Sequence, residues 1–112
     1  MEAGGFIALN PNAIYDWPSF HRESQHALGF PPDYGRDMDA WVDCLISLRD
    51  DVGRRVAVRI GEGEMLQLEM AEVEQVRERV PEFLETLVDA VAEVNRRFIE
   101  AGQAPAVTLI FI

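Results

Sequence analysis

The strongest constraint on the fold lies at the end of the chain, where residues 107–112, VTLIFI, are β-prone throughout and carry a single polar side chain, Thr108. A run this apolar is stable only inside a sheet, buried between neighbouring strands. The segment before it has the opposite periodicity. Phe83, Leu87, Val91, Val94 and Phe98 recur with a 3.6-residue period, Glu82 and Glu85 stand at the start, Arg96 and Arg97 fall in the last turn and Gly102 follows. That is an amphipathic helix with charges matched to its dipole and a glycine stop. Pro81 fits its first position, where the missing N–H costs nothing.

The same alternation of strand and helix runs through the rest of the chain. Residues 6–9 form a brief apolar run ended by Asn10, Pro11 and Asn12, as a buried strand ends in a turn. Asp16 caps a helix carrying Phe20, Ala27 and Leu28, which Gly29 and the pair Pro31 and Pro32 interrupt. A second helix opens near Asp37, because Met38, Trp41, Val42, Leu45 and Leu48 follow one another at i, i+3, i+4, i+7 and i+10. Residues 65–70 read as a strand, and the acidic segment from Glu72 begins a short helix. Between these lies a stretch rich in charge and glycine in which Val56, Val58 and Ile60 alternate with polar or small residues, the pattern of an edge strand at 56–60. Strands separated by helices pair in parallel through crossovers. The expected fold is therefore α/β and two-layered, a three-stranded parallel sheet packed by helices with an extra edge strand at 56–60. The 112 residues suffice for one hydrophobic core, hence one domain over 1–112.

Twenty acids against ten bases leave a net charge of −10. Such a field repels nucleic acid, anionic lipid and phosphorylated substrates and attracts a basic protein. Every base is arginine, to which no function attaches. Cys44 is alone, and the first residues lack the basic and apolar run of a secretory signal, so a reducing cytoplasm is the expected location. No apolar stretch approaches the length a bilayer requires.

The usual chemical constellations do not assemble. His21 and His26 are five residues apart, on different sides of one helix, which suits surface or capping roles better than a shared metal. Cys44, flanked by Leu45, reads as a small buried apolar group rather than a nucleophile. Gly61 and Gly63 are flanked by Glu62 and Glu64, which would repel phosphate, and mark a turn. The acids from Glu69 to Glu78 lack the alternating oxygen ligands and central glycine of a calcium loop. The expectation is no catalytic residue, no metal, no cofactor and no small-molecule substrate.

One acidic group stands out. Asp39 and Asp43 are four apart, so their carboxylates share the helix face turned away from Met38, Trp41 and Leu45. Like charges at that spacing cost stability, and only the first turn gains from the helix dipole, so Asp43 lies beyond that help. Asp37 and Asp33 add two further carboxylates at and before the helix start. Charge pattern alone is also satisfied by an ordinary solvated face.

Residues 30–45, FPPDYGRDMDAWVDCL, resemble the barstar family of intracellular ribonuclease inhibitors, in which a proline, a Tyr-Gly and an Asp-Ala-x-x-Asp-Cys-Leu run link the first two helices. The order of elements is also similar from Phe6 onward. The resemblance implies a barstar-like fold and an inhibitor, or immunity protein, whose loop and second helix plug the active site of a secreted or toxin ribonuclease. Asp39 and Asp43 then match the two carboxylates that occupy places meant for RNA phosphates. It implies a partner surface of Asp33, Tyr34, Gly35, Arg36, Asp37, Asp39, Val42, Asp43 and Ile46, with Gly35 allowing a tight turn and the Tyr34 ring packing beside it. Asp33 stands where relatives often carry a second aromatic contact. Val42 aligns with a family tryptophan on the binding face, and Trp41 with a core leucine. A further family acid near the end of the last long helix has no clear counterpart, since Arg97 or Glu100 aligns there depending on gaps, and it is not carried over. The middle of the chain is longer, which points to a ribonuclease other than barnase. The same acidic surface also suits an adaptor or regulatory domain that binds a basic protein other than a nuclease.

Overall fold

The structure, a computed structural model, describes residues 5–112. Strand β1 (Phe6–Leu9) is followed by a 3-10 turn at Pro11–Ala13 and helix α1 (Trp17–Leu28). Helix α2 (Met38–Ile46), strand β2 (Leu66–Met70), helix α3 (Val73–Arg79), helix α4 (Phe83–Glu100) and strand β3 (Val107–Phe111) complete the order. The three strands form one parallel sheet, β1-β2-β3, with Ile7 opposite Leu68 and Leu68 opposite Leu109. The predicted α/β fold with three parallel strands is thus the observed one.

Local chemistry explains the boundaries. Asp16 accepts the Ser19 N–H while the Ser19 hydroxyl accepts the Asp16 N–H, a reciprocal cap that starts α1. Gly29 ends that helix in the left-handed region, at φ +68°, where a Cβ would lie 2.4 Å from the Ala57 Cβ. Along β2, Leu66, Leu68 and Met70 are buried while Gln67 is exposed, so the sheet offers one face to the helices. Phe20, Trp41 and Phe83 fill the space between that face and α1, α2 and α4. Burial of a phenylalanine such as Phe20 or Phe83 contributes on the order of 2–3 kcal/mol.

Three expectations are corrected. Residues 56–60 alternate in burial as predicted, with Val56 and Ile60 in the core, yet they form no strand. The Ala57 N–H donates to the Leu28 carbonyl at 2.9 Å and the Ile60 N–H to the Leu48 carbonyl at 3.1 Å. The segment therefore satisfies open carbonyls at the ends of α1 and of the turn after α2, which leaves those N–H groups unavailable to a ladder. The closing strand is not buried between neighbours either. β3 is an edge, and exposure rises to 39% at Phe111 and 70% at Ile112, because α4 covers only one face of it. Pro81 lies in a turn before α4 rather than at its first position, with Phe83 N–H donating to the Val80 carbonyl and Glu82 in the N-cap place.

One arginine ties the connections together. Arg49 donates to the carbonyls of Gly61, Glu64, Ala104 and Pro105 and to the Gln103 side chain, and its guanidinium lies 4.9 Å from the centre of the Phe98 ring. The loops before β2 and before β3 are thus held to the turn that follows α2, which fixes α2 relative to α4.

Candidate functional site

The loop between α1 and α2 is built around a buried aromatic side chain. The Tyr34 N–H donates to the Pro31 carbonyl at 3.0 Å, closing a turn, and the ring packs on Phe30 with centroids 4.8 Å apart. Its hydroxyl lies 2.6 Å from His21 Nδ1. Among the described residues the hydroxyl has no other partner, so the arrangement that satisfies it has Tyr34 donating to Nδ1 and leaves the proton of the neutral ring on Nε2. Burial drives both groups toward their neutral forms, pushing the phenol up and the imidazole down. Tyr34 is only 4% exposed. The structure therefore places Tyr34 beneath the surface predicted from sequence, and His21, expected on the surface, in the interior beside it.

Arg36, rather than Gly35, adopts the left-handed backbone, at φ +57°. Of the two, Arg36 alone has the positive φ that favours glycine, so the left-handed freedom expected to matter at Gly35 is used one residue later. A Cβ on Gly35 would instead meet Ala40 Cβ at 3.4 Å. The Arg36 side chain donates to Gln25 Oε1 at 3.2 Å, and Gln25 donates to the Pro31 carbonyl at 2.9 Å, so α1 steadies the loop from below. Arg36, Asp37 and Met38 form one rim of an open cavity of about 550 Å³ whose other side is Trp17, His21 and Arg22.

Asp37 then starts α2, its carboxylate accepting the Ala40 N–H at 2.7 Å. The helix is oriented by Trp41, which is fully buried and donates from Nε1 to the Ser24 hydroxyl at 3.1 Å. With Trp41, Cys44 and Leu45 turned inward, Asp39 and Asp43 are exposed on the opposite side, one turn apart. Neither takes part in an ion pair among the described residues. Asp33 differs, since Arg55 holds it at 3.3 Å across an exposed pair. Ile46 is half-buried, and Val42, expected at the surface, is only 8% exposed. The outer face therefore consists of Gly35, Arg36, Asp37, Asp39 and Asp43, with Val42 and Ile46 below it.

A second wall comes from α4. Asp39, Val42 and Asp43 share a groove of about 420 Å³ with Glu93 and Arg97. Arg97 Nε donates to Glu93 at 2.7 Å, and Glu93 also takes Arg96, which reaches on to Glu100. Arg96 and then Arg97 hold the Glu93 carboxyl below its ordinary value. Sequence reasoning did not bring Glu93 to this site, and met Arg97 only as one of two alternative alignments for a family acid that was not carried over. Their four-residue spacing announces an ion pair on α4, but nothing local says that the pair faces α2.

Cys44 and His21 do not form a nucleophilic pair. Cys44 is buried, burial raises its pKa, and His21 is bonded to Tyr34 instead. No group of three or more His, Cys, Asp or Glu side chains among the described residues is arranged to hold a metal. No helix among them is long and apolar enough to cross a membrane.

The family model described as Barstar (barnase inhibitor) covers residues 5–110, nearly the whole chain. No curated protein matches it.

Proposed function

The chain belongs to the barstar family, and on that premise we propose that it is an intracellular inhibitor of a ribonuclease, acting through α2 and the loop before it. The observation that carries this reading is the state of Asp39 and Asp43: exposed, one helical turn apart, in no ion pair among the described residues, and held on a helix whose inner face is locked by Trp41. A ribonuclease must gather cationic side chains to hold a phosphodiester, and two carboxylates on a rigid element complement such a cluster without an ordering cost at binding. Arg36 and Asp37 extend the contact on one side. The net charge of −10 favours encounter with a cationic surface, and salt weakens that attraction.

The test is inhibition of RNA cleavage by barnase and by ribonucleases encoded beside the gene. One-to-one loss of cleavage is expected for the cognate enzyme. Asp43→Ala weakens inhibition by about tenfold to a hundredfold, the range for a hydrogen bond to a charged group. Added salt lowers the association rate. Inhibition indifferent to both changes would mean that another surface is responsible. Capture of a basic protein without nuclease activity would point to the adaptor role instead.

A further inference from the structure

The geometry points to Arg97 as the residue that sets which partner the groove between α2 and α4 accepts, namely one that presents a carboxylate between two cationic side chains. This rests on the inhibitor reading for the kind of protein that binds, but the groove's preference follows from its own charges. The α2 wall contributes Asp39 and Asp43 with no counter-ion among the described residues, and the floor is the nearly buried Val42. The α4 wall contributes Glu93, whose carboxylate is already taken by Arg96 and Arg97, and beside it the guanidinium of Arg97. In the chain of pairs Glu100, Arg96, Glu93, Arg97, the two inner residues each have two oppositely charged neighbours and Arg97 has one.

Among the described residues Arg97 donates only from Nε, to Glu93, which leaves the outer edge of its guanidinium without a partner there, and its side chain is 46% exposed. A planar fork in that state is suited to a carboxylate. A partner bringing cations alone would satisfy Asp39 and Asp43 but set a like charge against Arg97, a juxtaposition that disfavours wrong partners. Two cations flanking one carboxylate satisfy all three groups. In a ribonuclease whose general base is a carboxylate, that carboxylate, set among the side chains that hold phosphate, fits the description.

The test uses two capped peptides of equal length, Arg-Gly-Glu-Gly-Arg and Arg-Gly-Arg-Gly-Arg, titrated at low salt while the amide shifts of Asp39, Val42 and Asp43 are followed. Wild type should prefer the glutamate-bearing peptide by about threefold, the scale of one exposed charge pair, even though the other peptide is more attractive to an acidic protein overall. Arg97→Glu should invert the preference and Arg97→Gln should erase it. Arg59→Glu, which gives the same net charge as Arg97→Glu but lies outside the groove, should keep it. The inference is overturned if wild type prefers the all-arginine peptide, if Arg97→Glu and Arg59→Glu behave alike, or if neither peptide shifts these amides. Asp39→Asn with Asp43→Asn answers separately for the inhibitor reading. Unchanged peptide binding in that variant removes the acidic face, whatever Arg97 does.

Discussion

Replacing Tyr34 by Phe removes one oxygen from a place where almost no water reaches. The ring can stay against Phe30 without leaving a cavity, so the change isolates the 2.6 Å hydrogen bond to His21 Nδ1. The net value of such a bond is about 1 kcal/mol, and leaving a buried acceptor unpaired costs about 1–3 kcal/mol. With the phenol's own desolvation relieved, a loss of about 1.5 kcal/mol is expected. For a domain of this size, with a urea slope of roughly 1.5 kcal/mol per molar, the midpoint should fall by about 1 M at unchanged slope. A domain of ordinary stability would remain almost wholly folded after that loss. Inhibition of the cognate ribonuclease should therefore change by less than about twofold, because one kcal/mol of binding would already exceed fivefold. Urea unfolding followed by tryptophan fluorescence, with inhibition assayed on the same preparations, tests both halves. A midpoint that does not move, or inhibition that drops tenfold in a stable variant, would refute the assignment of Tyr34 to the interior support of the loop.

Two further outcomes follow from the same packing. Burial lowers the His21 pKa from its ordinary value of 6.5, with Arg36 acting in the same direction and Asp37 against both, so below that pH the unfolded chain takes up a proton that the folded ring resists. Stability should be fully present above about pH 6.5 and decline as the pH falls through the interval down to the folded-state value, and urea midpoints at pH 8 and pH 5.5 would show this; an equal slope in His21→Gln would assign the decline to other groups. Arg49→Met should lower stability by about 2–4 kcal/mol, since five acceptors lose a charged donor while those near water are partly rehydrated; a loss below about 1 kcal/mol in calorimetry would show that the loops before β2 and β3 hold themselves.

Much of this protein is local, and local signals were legible. Asp16 and Asp37 each have an N–H within three residues to cap, Gly102 stands just past the end of α4, and the spacing of Phe83, Leu87, Val91, Val94 and Phe98 belongs to a single helix, so neighbours in sequence determine all of these. The exposure of Asp39 and Asp43 followed in the same way, because the helical period that buries Trp41 and Leu45 turns positions 39 and 43 outward. The rest depended on segments distant in sequence. Alternation at 56–60 correctly marked Val56 and Ile60 for burial, but whether their backbone pairs with a strand or with helix-end carbonyls depends on where α1 and the turn after α2 stop in space. Tyr34 carried the composition of a contact residue until His21, thirteen residues earlier, supplied a partner for its hydroxyl and thereby drew it inward. The groove is the clearest case. Its two walls come from helices that share no local interaction, so the sign of the charge facing Asp39 and Asp43 was decided only when α4 packed against α2.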